Sequence, residues 1–397
     1  MNQPRILIAL PIAHPELPSF DQVLDGMFPC SGSIGSSIRL AGFLAEAGLR
    51  PYLSSSVENR CSRFHCINHT SVRASQFDLL ILSQTHWDGA TLTFGNEALP
   101  RTILWLQNQT SWAFVRGFLS KGGYRVVCPS SYHSNIYRAV PRWPEKLVVV
   151  YNAICPVFAP ATGESKMRLL FVGAVTPSKG FMELMQVWSY LIQKGANLQL
   201  AIAGSIGLHT DFRARVGPLG VADLGFESDH ILPWLKTLPE RYQPQFLGAL
   251  SPLDLRKEIS DSWAVVVNPS WDSPETFCVA AVEAQACDRT VFSVAAGGLK
   301  ETVYPGSFRS LATNKGIAAL GDRILEGLSN TEAVRRNGRL AGQFVRSKFA
   351  PQLICDSWLK LISGQGNALT PSKNWSSIRD VIKDVLRWTG TGIFLRG

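Results

Sequence analysis

Two glutamates, Glu275 and Glu283, stand eight positions apart in the run Pro274-Glu275-Thr276-Phe277-Cys278-Val279-Ala280-Ala281-Val282-Glu283-Ala284, with Gly297-Gly298-Leu299-Lys300-Glu301 beyond it. At about 1.5 Å of rise per residue the spacing spans roughly 12 Å if helical. That matches two sugar rings joined through a diphosphate, each carboxylate accepting hydrogen bonds from the hydroxyls of one ring. A surface helix with two solvated glutamates would show the same spacing, so the pattern gains meaning only from the rest of the chain. Other chemistries find less support. No D-x-D pair occurs to clamp a divalent metal on a diphosphate. Cys61, His65, Cys66 and His69 lack the spacing of a zinc knuckle. No G-x-G-x-x-G follows the first apolar run, which argues against a nicotinamide-dependent oxidoreductase. No Ser-His-Asp triad or nucleophilic cysteine stands out. The expectation is chemistry without a metal or cofactor.

The elements that must position these residues follow from length and periodicity. A chain of 397 residues exceeds what one hydrophobic core usually serves, so two domains are expected. No apolar run reaches the ~20 residues of a membrane span. Ile6-Leu7-Ile8-Ala9-Leu10 reads as a buried first strand rather than a signal core, because Pro11 follows and no cleavage site frames it. Eight cysteines scattered without short spacings point to reduced thiols in a cytoplasmic protein. The formal charge of +9 suits an anionic membrane surface or a phosphorylated substrate. Nucleic acid is not expected as a partner, since no zinc finger or RNP-type motif accompanies the charge.

Short β-branched and leucine-rich runs alternate with helical patterns, which predicts parallel strands joined by crossover helices. Strands are expected at Ile6–Ala9, Leu79–Leu82, Thr102–Leu106, Arg125–Cys128 and Leu147–Tyr151, then at Leu169–Gly173, Leu198–Gly204 and Ala264–Asn268. Cys30-Ser31-Gly32-Ser33-Ile34-Gly35-Ser36-Ser37 opens an amphipathic helix, and small residues there leave backbone N–H groups for an anion or a sugar hydroxyl, making Gly35 a candidate on the acceptor side. Phe181–Gln193 carries Phe181, Leu184, Met185, Trp188 and Leu191 on one helical face. The division predicted is 1–153, a linker at 154–165, 166–345, and C-terminal helices at 346–397. Ligands of such sheets bind beyond the carboxyl ends of the strands, so function is expected there, in the cleft between two doubly wound domains. In the tail, Ile378, Val381, Ile382, Val385 and Leu386 form a helical stripe that would pack on the protein or, as an alternative, lie on a membrane.

Four segments in order resemble the donor domain of a GT-B retaining glycosyltransferase of family 4, the glycosyl transferases group 1. They are Phe171-Val172-Gly173-Ala174-Val175-Thr176-Pro177-Ser178-Lys179-Gly180; Leu200-Ala201-Ile202-Ala203-Gly204; Phe246-Leu247-Gly248-Ala249-Leu250; and Asn268-Pro269-Ser270 running into the paired glutamates and Gly297-Gly298. The resemblance implies an α/β GT-B fold of two Rossmann-like domains, the first for the acceptor and the second for a nucleotide-sugar donor, with C-terminal helices returning to the first. By it, Lys179 would neutralise the donor diphosphate, Glu283 would grip the ribose, and Glu275 would stand beside the transferred sugar, making Glu275 and Lys179 the catalytic pair. Gly173, Phe277 and Cys278 would line the donor through backbone, and Leu250 would meet the base. Ala174 stands where the family commonly has arginine, Cys278 where glycine is usual, and Asp288-Arg289-Thr290 replace a glycine-x-proline turn, with Arg289 a substitute source of charge. Gln107 takes the place of a first-domain histidine that contacts the donor sugar, and His86, after another strand, is the alternative candidate on the acceptor side.

The activity implied is metal-independent transfer of a hexose, with retention, from a UDP- or GDP-sugar to a glycan or lipid-linked acceptor of surface polysaccharide or glycolipid synthesis. The alternative is a glycosyltransferase-like protein that binds nucleotide or glycan without turnover inside an assembly. The location implied is the cytoplasm, with the inner face of the membrane as a peripheral site.

Overall fold

The computed structural model describes residues 3–12, 17–137, 144–161, 163, 165–208, 215–306 and 308–364. The tail stripe from Ile378 to Leu386 lies outside them. The chain divides into two compact units: residues 1–21, 36–152 and 352–397 form the first, and 22–35 with 153–351 form the second. Both are parallel α/β structures.

In the first unit the described residues give seven strands: β1 (Arg5–Ala9), β2 (Arg50–Ser55), β3 (His65–Asn68), β4 (Leu79–Ser83), β5 (Thr102–Trp105), β6 (Arg125–Cys128) and β7 (Leu147–Val149). They lie in the order β3-β2-β1-β4-β5-β6-β7, and every pairing is parallel. Ile6 to Ala9 of β1, with Leu10 after it, are buried, as expected of a central strand covered on both faces. Leu7, Leu80, Leu82, Leu104, Phe118 and Val126 form one core face. The helix Pro351–Ile362 ends the described chain. Its Trp358 meets Trp105 edge-on at 4.9 Å, and Cys355 Sγ donates to the Phe43 carbonyl at 3.5 Å.

The second unit holds β8 (Lys166–Val172), β9 (Gln199–Ala203), β10 (Gln245–Gly248), β11 (Ser262–Val266), β12 (Thr290–Val294) and β13 (Leu311–Ala312), ordered β10-β9-β8-β11-β12-β13 and all parallel. Helix Phe181–Gln193 follows the predicted bounds and buries Phe181, Leu184, Met185, Trp188 and Leu191. Trp188 Nε1 finds the Tyr242 carbonyl at 2.9 Å, which satisfies the indole inside the core.

Three sequence expectations change. The helix after the first glutamate runs Val279–Ala286, so Glu275 sits on the loop before it and the ~12 Å helical spacing of the two carboxylates does not apply. Positive φ at Cys278 stops the helix from extending back. Gly35 lies inside the helix Gly32–Glu46, with its N–H bonded to the Ser31 carbonyl at 2.9 Å, rather than on an open loop before it. Strands β2, β3, β10, β12 and β13 were not expected; β2 and β3 carry polar residues such as Arg50, Ser54, His65 and Asn68, so their patterns do not read as buried.

Candidate functional site

Because β8 to β12 are parallel, their carboxyl ends share one edge of the sheet; Gly173, Lys179, Leu250, Glu275, Phe277 and Cys278 lie on the segments leaving it, and Glu283 on the helix after Cys278. Gly173 follows β8 and donates to Ala203 of β9 at 3.1 Å; Gly204 follows β9 and donates to Gly248 of β10 at 2.8 Å. Leu250, half-buried, comes two residues after that glycine. The turn Thr176–Gly180 is closed by Lys179 N–H on the Thr176 carbonyl at 3.1 Å. Gly180, at φ 74°, then starts helix Phe181–Gln193. A Cβ on Gly180 would stand 2.6 Å from Pro269 Cδ and 2.9 Å from Ser270 N, so only glycine lets the lysine turn press against the end of β11.

That approach joins residues 96 positions apart. Lys179 Nζ donates to Glu275 Oε1 at 2.8 Å and Oε2 at 3.0 Å. Burial works against the ammonium, but the Glu275 carboxylate outweighs it and holds the Lys179 pKa above its ordinary value. Lys179 is therefore a cation throughout the physiological range. Glu275 is placed in turn by its backbone, whose carbonyl accepts from Gly298 N–H at 2.7 Å. Cβ atoms on Gly297 and Gly298 would fall 2.5 Å from the Glu275 carbonyl oxygen and 2.4 Å from that of Thr276, which gives the glycine pair its physical reason.

Phe277 is buried and meets Phe349 edge-on at 5.3 Å, anchoring the loop. Cys278 occupies the N-cap of helix Val279–Ala286 at φ 66° without a side-chain cap bond. Burial, with the Glu275 and Glu283 carboxylates, pushes its thiol well above the usual range, so it is protonated and no nucleophile. Glu283 is largely buried on that same helix. Ala174 is buried too, and offers no charge.

Arg289 does not join the cluster. It precedes β12 at the amino edge of the sheet, where its guanidinium donates to the Ser260 carbonyl, and burial lowers its pKa. Asp288 is taken by Arg346 at 2.9 Å. In the first unit, Gln107 and Asn152 exchange amide hydrogen bonds at 2.9 and 3.2 Å. His86 is 1% exposed, with Nε2 donating to the Leu10 carbonyl at 2.7 Å and its ring stacked on Phe94 at 5.3 Å. Burial takes it down to about 4, so it is neutral and serves the packing of the loop ends rather than presenting a face to an acceptor. Among the described residues no group of three or more His, Cys, Asp and Glu side chains is placed to hold a metal, and no helix is long and apolar enough to cross a membrane. Cys61, from the cluster weighed for zinc, instead donates to Asp21 at 3.3 Å.

Sequence reasoning missed one residue. By sequence Asn268 is the end of an expected strand and the start of the Asn268-Pro269-Ser270 motif, yet its Nδ2 donates to Glu275 Oε1 at 3.0 Å. An asparagine closing a buried apolar run and standing before a proline is the available signal.

Residues 158–341 match the family model of the glycosyl transferases group 1. No curated protein sequence matches the chain significantly. Solved structures similar to it include a glycosyltransferase from Rickettsia africae, at 16% identity and a TM-score of 0.68, with 94% of this chain and 100% of that one covered. The sucrose-phosphate synthase of Thermosynechococcus elongatus is 16% identical at a TM-score of 0.67, covering 91% and 99%. HepE from Anabaena, solved in complex with UDP and glucose, is 14% identical at a TM-score of 0.65, covering 91% and 100%. These identities speak for the fold, and the family match speaks for the segment that carries Lys179, Glu275 and Glu283. Residues 158–341 are thus similar to the glycosyl transferases group 1 model, and the chain as a whole has a GT-B fold.

Proposed function

We propose that this chain is a retaining, metal-independent glycosyltransferase of family 4 that moves a hexose from a UDP- or GDP-sugar to a glycan or lipid-linked acceptor. The observation that carries the reading is the Lys179–Glu275 pair, formed where the loops after β8 and β11 meet inside the segment matched by the family model. Lys179 supplies a permanent cation for the diphosphate, whose negative charge grows as the glycosidic bond breaks. Glu275 faces the transferred sugar, Glu283 accepts from the ribose hydroxyls, Gly173, Phe277 and Cys278 line the donor, and Leu250 meets the base. UDP bound in complexes of HepE supports a nucleotide donor here as well. In the reaction the acceptor hydroxyl attacks on the face that the nucleotide leaves, and the departing phosphate takes its proton. Gln107 and the start of helix Gly32–Glu46 near Gly35 remain the acceptor-side candidates. Synthesis of surface polysaccharide or glycolipid in the cytoplasm, with peripheral attachment at the inner face of the membrane, fits the basic charge.

A second reading, a protein that binds nucleotide or glycan without turnover, is favoured by two positions: Cys278 with its left-handed backbone in place of glycine, and Ala174 in place of arginine. Nucleoside diphosphate release from UDP-, GDP- and ADP-sugars, measured with and without acceptors, separates the two. Release from one donor, reduced about 100-fold or more in Lys179→Ala and also lost in Glu283→Gln, is the expected result. Saturable binding without release in every acceptor tried establishes the second reading.

A further inference from the structure

Asn268 follows β11, is 4% exposed and holds a φ of 21°, a positive value that asparagine tolerates better than most residues with a side chain. Its side-chain amide is fully used. Nδ2 donates to the Ser273 carbonyl at 2.9 Å and to Glu275 Oε1 at 3.0 Å, while Oδ1 accepts from Ser270 N–H at 3.1 Å. The orientation of the amide is dictated by its partners, because a backbone N–H only donates and a carbonyl only accepts. Ser293 Oγ, from β12, holds the backbone by sharing its proton between the Val267 carbonyl at 2.6 Å and the Asn268 carbonyl at 2.9 Å. A buried, backbone-strained residue held on all sides is built to keep one atom in place, and the atom it aims is the amide nitrogen on Glu275.

Glu275 Oε1 therefore has two donors of different character. Lys179 reaches it on a flexible four-carbon stem, and an anionic diphosphate accepts from the same ammonium. Asn268 reaches it on a short, locked stem and carries no charge, so it neither competes for phosphate nor alters the net charge of the site. We propose that Asn268 is a positioning residue, which keeps the Glu275 carboxylate aimed at the transferred sugar while Lys179 serves the diphosphate. The proposal rests on the reading of Lys179 and Glu275 as donor-binding residues.

The test compares wild type with Asn268→Gly, which suits the backbone but removes the amide, and Asn268→Asp, which keeps the shape but sets a second carboxylate against Glu275. For each, affinity for UDP, GDP and ADP is measured by calorimetry, release from the matching sugar nucleotides is timed, and folding is checked by thermal melting. The expected result is a nucleoside diphosphate affinity within about twofold of wild type in folded Asn268→Gly. Release should be slowed about tenfold or more, as for loss of one hydrogen bond to a charged group, and further in Asn268→Asp. Unchanged release in folded Asn268→Gly overturns the proposal, and so does a parallel loss of nucleoside diphosphate affinity, which would mark a general structural role. If wild type binds none of the nucleotides, the donor-site reading itself falls, an outcome distinct from either.

Discussion

At the scale of single residues, the candidate site is a place where local backbone preference has been set aside. Cys278 takes a left-handed conformation that L side chains resist by roughly 1–2 kcal/mol, at the start of the helix bearing Glu283. Cys278→Gly should relieve that strain and raise stability by about 1 kcal/mol, seen as a higher melting temperature. A lower melting temperature would mean that the thiol's packing outweighs the strain. The residue-level reading of the sequence singles out Lys179, Glu275 and Glu283 by their types and order. It passed over Asn268, whose importance lies in hydrogen bonds to Ser270, Ser273 and Glu275 that no spacing rule anticipates.

Among elements, the decisive contact is the turn before helix Phe181–Gln193 against the loop after β11. Gly180 sits between them with no room for a side chain on the Pro269 side. Gly180→Ala should therefore cost about 2–4 kcal/mol, the sum of a strained φ and an overlap with Pro269. It should also weaken nucleoside diphosphate binding, because Lys179 is its neighbour. Gly195 shares a positive φ of 75°, but a Cβ there meets nothing within 4 Å. Gly195→Ala should accordingly lose only about 1 kcal/mol and leave binding intact. Thermal melting and calorimetry on the two variants check the difference; equal losses would show that the Pro269 contact is immaterial.

For the whole molecule, acid should act through buried imidazoles of the first unit. Burial lowers both His86 and His133 to about 4, against ordinary values near 6.5. The unfolded chain takes up protons below about 6.5 while the folded one does not, so their contribution is fully present above that pH and is lost as pH falls toward 4. At pH 5 the loss is about 2 kcal/mol for each histidine. Melting curves at pH 7 and pH 5 should show the drop, and the double variant His86→Gln/His133→Gln should flatten it. An equal drop in the double variant would place the acid sensitivity elsewhere.

The alternation of apolar runs with helical patterns determined the fold class, because strand and helix periods are local properties of the chain. Central strands such as β1, β4, β8 and β11 were legible for the same reason, each carrying a continuous apolar run. Strand β2 and the edge strand β3 were not, since their polar residues make no local pattern and pairing with neighbours defines them. The identity of the charged residues was equally a matter of sequence. What the tertiary structure alone decided was their company: which carboxylate Lys179 meets, that Glu275 stands on a loop while Glu283 rides a helix, that Arg289 turns to the opposite edge, and that His86 is enclosed. Those outcomes depend on strand order and on glycine-mediated approaches between segments up to about a hundred residues apart, and chain-local chemistry carries no record of them.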